Sequence, residues 1–417
     1  MATRRAFLKN SGVAMFGIGA SPLWLERAMA ASDSQKILVA IFQRGAADGL
    51  NIVVPHAEKA YYAGRPSIAI PRPGPSEGAA IDLDGFFGLN PNLKALKPIF
   101  DEKKLAMVQA CGSPDPTRSH FDAQDYMESG TPGLKATRDG WLNRALTTGA
   151  TPSPVRAVSM GPVLARTLRG TQPAVAINSV KDFQVRDKMA GDDFMSRYAS
   201  SVDTQLKGTG KDTFEAIRLL ESLRKTEYQP ANGASYPGGR LGSSLKQIAQ
   251  MIKANVGLEV AFADLGGWDH HVNEVGATAL DGPLANLLTE FGSALAAFYQ
   301  DLGARMQDVV VVSMSEFGRT ARENGNRGTD HGHANVMFTM GGNVSGGKVY
   351  GNWPGLEKEQ LYEGRDLAVT TDFRQVLGEV AAVHLGQSNL SKIFPGFSPK
   401  GPLGLFGAAG STTSKSS

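Results

Sequence analysis

Residues 37 to 42 read ILVAIF, an uninterrupted apolar run that ends in the Gly-containing turn Arg44 to Gly49. A strand with one wet face alternates apolar and polar side chains, so an unbroken run marks a strand buried on both faces. A second run of this kind, KLAMVQACG at 104–112, is followed by SPDPTRSHFDAQDYMESG, in which prolines give way to a helical pattern starting near Ser119. Shorter strand candidates lie at Val155–Ser159 and Ala174–Ile177, and strong ones return in GLEVAFADLGGWDHH (257–271), DVVVVSMSEFGRT (308–320) and ANVMFTMGG. Helical patterns separate them, with FEAIRLLESLRKT and LGSSLKQIAQMIKAN inside 182–254, an amphipathic stretch over 278–304, and TDFRQVLGEVAAVHLG at 371–386. Strands alternating with helices predict an α/β domain with a mostly parallel central sheet flanked by helices, and region 182–254 reads as a helical insertion.

In such sheets ligands gather beyond the C-terminal ends of the strands, and that is where this chain places its chemistry. Asp48 follows the first strand, Ser119 and His120 the second, Asp264, Asp269, His270 and His271 the third, and Glu316 the fourth. The segment GTDHGH adds Asp330, His331 and His333, so five of the seven histidines fall in these places. Carboxylates with neutral imidazoles form the ligand sets of zinc and manganese sites, and carboxylate-rich sets also suit magnesium or calcium. Asp48, Asp264, Asp269, His270, His271, Glu316, Asp330 and His331 are the candidate metal ligands. Ser119, at the start of a helix, is the candidate nucleophile, with His120 or His333 assisting proton transfer. Structural roles stand beside each: Ser119 as a helix cap, Glu316 paired with Arg319, GGWDHH as a plain turn. His56, His384 and Cys111 read as structural residues.

The two ends are of different composition. Arg4 and Arg5 precede an apolar stretch from Val13 to Leu25 that Gly and Pro break and that is too short to span a bilayer; Ala28-Met29-Ala30 then offers a cleavage site. Residues 1–30 therefore read as a twin-arginine signal peptide, which makes the translocase of that route a transient partner and the periplasm or cell surface the destination. Their loss removes four cationic and one acidic side chain and takes the formal charge from +3 to zero, so no basic face for nucleic acid remains. No later segment is expected to insert in a membrane. Residues 31–400 read as one domain and 401–417 as a flexible tail. GNVSGGK (342–348) has phosphate-loop spacing, but Val349 stands where Ser or Thr is required and YGNWPG cannot open a helix. The glycine fingerprint of a dinucleotide fold and the elbow of a serine hydrolase are both lacking.

In that order the leader, RGAADGLN, TRSHFDAQDYMESG, GGWDHH, SEFGRT, GTDHGH and GGKVYGNWPG resemble the bacterial DUF1501 family, over nearly all of 36–400. That family is grouped with the alkaline phosphatase-like superfamily of phosphatases, sulfatases and phosphomutases. The resemblance implies an alkaline phosphatase-like fold, Asp48 as first-strand ligand, Ser119 in the nucleophile's place, and Asp264 as the acid accompanying the ligands at Asp269 and His270 or His271. Two departures are visible: position 273 is Asn where the superfamily pattern has His, and Glu316 lacks a neighbouring histidine. The implied function is hydrolysis of phosphate or sulfate esters of a small molecule or polysaccharide, with a divalent metal, zinc first and magnesium, manganese or calcium as alternatives. A catalytically silent metal- or polysaccharide-binding protein of the same fold is the other reading. Cys111 is followed by Gly-Ser-Pro rather than the C-x-P-S-R pattern of a formylglycine sulfatase.

Overall fold

A computed structural model describes residues 35–146, 153–181, 216, 219–221, 223 and 227–407. The expected signal peptide, most of the expected helical insertion and the last ten residues lie outside them. Strand β1 (Ile37–Arg44) occupies the middle of a nine-stranded sheet, with β2 (Leu105–Gly112), β3 (Ala157–Met160), β4 (Val175–Ile177), β5 (Val260–Gly266), β6 (Val309–Met314), β7 (Asn335–Gly341), β8 (Lys348–Tyr350) and β9 (Thr371–Asp372). The order is β8-β2-β7-β6-β1-β5-β3-β4, with β9 pairing to β2.

β1 is parallel to β5 and β6, with Phe42 opposite Asp264 on one side and Met314 on the other. Its unbroken apolar run feeds two cores: Ile37, Val39 and Ile41 join one face, Leu38, Ala40 and Phe42 the other. The first face is covered by α2 (Arg240–Lys253) and α3 (Pro283–Leu302), which also pack on each other. The second is covered by α4 (Phe373–Glu379) and by Met127 of α1 (His120–Ser129). Burial on both faces is what excluded the alternating pattern.

In this nine-stranded sheet β7 runs against its neighbours, antiparallel to both β2 and β6, while the other pairings are parallel. Its start therefore lies at the edge where β1, β2, β5 and β6 end, and the segment Asp330–His333 that leads into it arrives at the same edge as the other polar turns.

The expectation of a flexible tail from 401 differs from what residues 401–407 do. Leu405 and Phe406 are buried, and the Glu379 carboxylate accepts from the backbone N–H groups of Leu403 and Leu405 at 2.6 and 2.7 Å. Two apolar side chains among glycines were enough to dock this stretch. Among the described residues no helix is long and apolar enough to cross a membrane.

Candidate metal centre

The turn after β1 and the loop after β5 meet backbone to backbone. Gly45 has φ +118°, and a Cβ there would stand 2.8 Å from the Asp269 nitrogen, so a side chain is excluded on both counts. On the other flank a Cβ at Gly328 would lie 2.3 Å from the His271 carbonyl carbon. The glycines of RGAADG and GTDHGH thus let three loops close on one another, and Arg319 and His331 form an antiparallel bridge between the SEFGRT and GTDHGH segments.

α1 starts at His120 after Ser119, whose backbone is extended, and ends on Gly130 in the left-handed region. This start aims the His120 ring at the loops. The Nε2 atoms of His120 and His331 lie 3.0 Å apart, and those of His271 and His331 3.1 Å apart. The Asp269 carboxylate joins them, with Oδ1 3.0 Å from His271 Nε2 and 3.2 Å from His331 Nε2, and Oδ2 3.5 Å from His120 Nε2. Phe317 packs against the His120 and His331 rings.

Each ring is held from behind. His120 Nδ1 is 2.8 Å from Glu316 Oε1, His271 Nδ1 is 3.1 Å from Asp330 Oδ1, and His331 Nδ1 is 2.9 Å from the Arg118 carbonyl. These partners only accept, so each Nδ1 carries the proton and each neutral ring turns an Nε2 lone pair inward. Lone pairs 3.0 Å apart repel unless something positive sits among them: an added proton on one ring, or a cation. His120, Asp269 and His331 each offer a ligand atom, all within 4.8 Å of one another, which fits a metal ion. His271 adjoins that group through His331 and Asp269.

The electrostatics agree. Burial would raise the Asp269 carboxyl, but Arg319 donates to Oδ1 at 2.7 Å and holds it below the usual range. Burial likewise opposes ionisation of Glu316, yet His120 and Gln124 hold its carboxyl low. Asp330 is pulled below its usual range, against its burial, by Asn324 and His271. The Glu316 hydrogen bond raises His120, whereas burial lowers His331.

Several expected ligands take other roles. Glu316 and Asp330 stand behind the rings, and Glu316 also accepts from Gly45 N–H and Gln124 Nε2. It does not pair with Arg319. Asp48 is buried and held through both oxygens by the buried Arg65, which also donates to the Thr320 and Ala321 carbonyls. Asp264 is clamped between Arg44 Nε (2.8 Å) and Arg240 Nη2 (2.6 Å). His270 is buried beside the Gly267 backbone, away from the other imidazoles' common point, and burial with the nearby Arg319 charge lowers it to about 4. His333 turns away to donate to the Ser113 carbonyl at 3.0 Å and lies against the Tyr362 ring at a tilt of 57°. Ser119 is exposed beside His120, and its hydroxyl makes neither a capping bond nor, among the described residues, any other.

Sequence reasoning missed Arg319 as the partner of Asp269, Arg65 as the partner of Asp48, and Gln124. Only Arg319 left a signal, as the cation in SEFGRT.

The family described as "Protein of unknown function (DUF1501)" matches residues 103–392. The chain belongs to this family. The match includes α1, the loop after β5 and the SEFGRT and GTDHGH segments, so the whole imidazole group of this DUF1501 protein falls inside it. No match is found among curated proteins. Among solved structures, the chain is similar to the lipoteichoic acid synthase LtaP from Listeria monocytogenes, with 10% identity, TM-score 0.31, and 75% of this chain and 68% of that chain covered. It is similar to the PsFucS1 sulfatase from Pseudoalteromonas sp. with 12% identity, TM-score 0.34, and coverage of 79% and 68%. A third is the C-terminal periplasmic domain of EcEptC from Escherichia coli in complex with Zn, with 9% identity, TM-score 0.34, and coverage of 75% and 74%.

Proposed function

We propose that this DUF1501 protein is an exported, metal-dependent hydrolase of phosphate or sulfate esters with an alkaline phosphatase-like active site. The observation that carries the reading is the inward convergence of the His120 and His331 Nε2 atoms and the Asp269 carboxylate, with His271 Nε2 against His331 and Asp269 and each ring fixed from behind. His120, His331 and Asp269 would hold the ion, with His271 completing the set. Three nitrogens and one carboxylate already neutralised by Arg319 favour zinc over magnesium or calcium, which take mainly oxygen ligands. A zinc ion so held supplies Lewis acidity, neutralising charge that develops on an ester oxygen. The chain's own contribution is to fix the donors, to present the exposed Ser119 hydroxyl one residue from a ligand, and to leave Asp269 open to solvent on one side. The leader at 1–30 supports export through the twin-arginine translocase, and the substrate class is an ester of a small molecule or polysaccharide.

The free Ser119 hydroxyl favours a second reading: it lacks a hydrogen-bonded base, as expected of a protein that binds metal or polysaccharide without turnover. One experiment separates the two. Zinc-loaded protein is assayed on aryl phosphates and aryl sulfates for the wild type, Ser119→Ala and His331→Ala. Turnover lost in His331→Ala supports the hydrolase, and loss in Ser119→Ala assigns the nucleophile. Stoichiometric zinc with no turnover of either ester supports the binder.

A further inference from the structure

Behind Asp269 lies a line of buried polar groups that no donor to the metal explains. Arg319 and Thr329 are almost wholly shielded, and Glu274 is fully buried. A guanidinium can only donate, so Arg319 Nε donates to Thr329 Oγ at 3.0 Å and Nη2 donates to the Thr329 carbonyl. The Thr329 hydroxyl has one proton, and it goes to Glu274 Oε2 at 2.9 Å. Burial and the neighbouring Asp48 hold the Glu274 carboxyl well above the usual range, and the remaining arm of the guanidinium, Nη1, donates to Asp269 Oδ1 at 2.7 Å. Asp269 itself sits on a loop with its side chain 45% exposed, and the wholly shielded Arg319 is the cation that holds it. The oxygen that Arg319 holds is the one 3.0 and 3.2 Å from His271 and His331.

We propose that Glu274, Thr329 and Arg319 are positioning residues that set the rotation of the Asp269 carboxylate toward the imidazoles and so tune zinc affinity. This inference rests on the metal-centre reading above. A two-point grip on the guanidinium is what distinguishes the arrangement from an ordinary surface ion pair, which would leave the carboxylate free to turn.

The test is zinc affinity of the full chain, measured by competition with a chromogenic chelator, alongside thermal unfolding of the metal-free protein. Thr329→Val removes the bridging hydroxyl without changing charge or bulk, and about tenfold weaker zinc binding is expected. Thr329→Ser restores the hydroxyl and returns affinity to within about twofold of wild type. Arg319→Lys keeps the charge but cannot grip Thr329 at two points; it weakens zinc binding by about tenfold as well and serves if Thr329→Val does not fold. Thr329→Val or Arg319→Lys binding zinc like the wild type, or Thr329→Ser binding as weakly as Thr329→Val, overturns the inference alone. A wild type that takes up no zinc overturns the metal-centre reading and this inference with it.

Discussion

Two polar sites face each other across the same sheet edge and differ in one respect. At the end of β1, Asp48 is buried and gripped through both oxygens by Arg65, so its charge is balanced by the protein itself. At the ends of β2 and β5 and the start of β7, His120, His331 and Asp269 present donors to a common point with His271 beside them, and the protein balances only the carboxylate, through Arg319. A carboxylate at a strand end is therefore a ligand only if no fixed cation has already taken it. Donors whose lone pairs face one another are the mark of a site built for something else.

The sharpest way to break this contrast is Arg65→Met. It leaves the Asp48 carboxylate buried without its cation, beside Glu274, and a loss of about 3–5 kcal/mol in denaturant unfolding is expected, with no second zinc bound by the folded fraction. A stable Arg65→Met protein that gains a second zinc would reassign Asp48 as a ligand.

His384 extends the comparison to an imidazole engaged by the fold. It is buried, its Nε2 lies 2.9 Å from the Ile37 carbonyl, and burial lowers its pKa to about 4. The unfolded chain binds the proton more readily, so stability is full above about pH 6.5 and is lost as pH falls toward 4, by on the order of 3 kcal/mol. Urea midpoints over that range should fall less steeply for His384→Gln; an identical slope would remove His384 as the cause.

His331→Ala takes away the ring that touches both other imidazoles. Zinc affinity should drop by about 100-fold or more while unfolding of the metal-free protein changes little, because the side chain is partly exposed. Glu316→Gln keeps an acceptor near His120 Nδ1 but removes its charge, and about tenfold weaker zinc binding is expected from chelator competition. Least of all, Ser119→Ala should shift stability by less than about 0.5 kcal/mol, since its hydroxyl makes no cap; a loss near 1 kcal/mol would show that it does.

Much of this was legible in the sequence. The unbroken runs of β1 and β2 gave away two buried faces, and the polar turns after them located the edge at which His120, Asp269 and His271 meet. GTDHGH precedes its strand, and only the reversed direction of β7 brings it to that edge, a fact of topology that no local pattern carries. The division between ligands and supports was hidden for another reason. Glu316 and Asp330 sit one imidazole away from the common point, a displacement of a few ångströms that depends on which ring nitrogen each meets. Asp48 misled because its partner, Arg65, lies in a stretch with no motif.

Anomalous scattering at the zinc edge from crystals of the zinc-loaded full chain would locate the ion directly. The expected result is one strong peak at about 2.0–2.2 Å from His120 Nε2, His331 Nε2 and an Asp269 oxygen. A peak at Asp48 or His333 instead, or none at one equivalent of zinc, would contradict it.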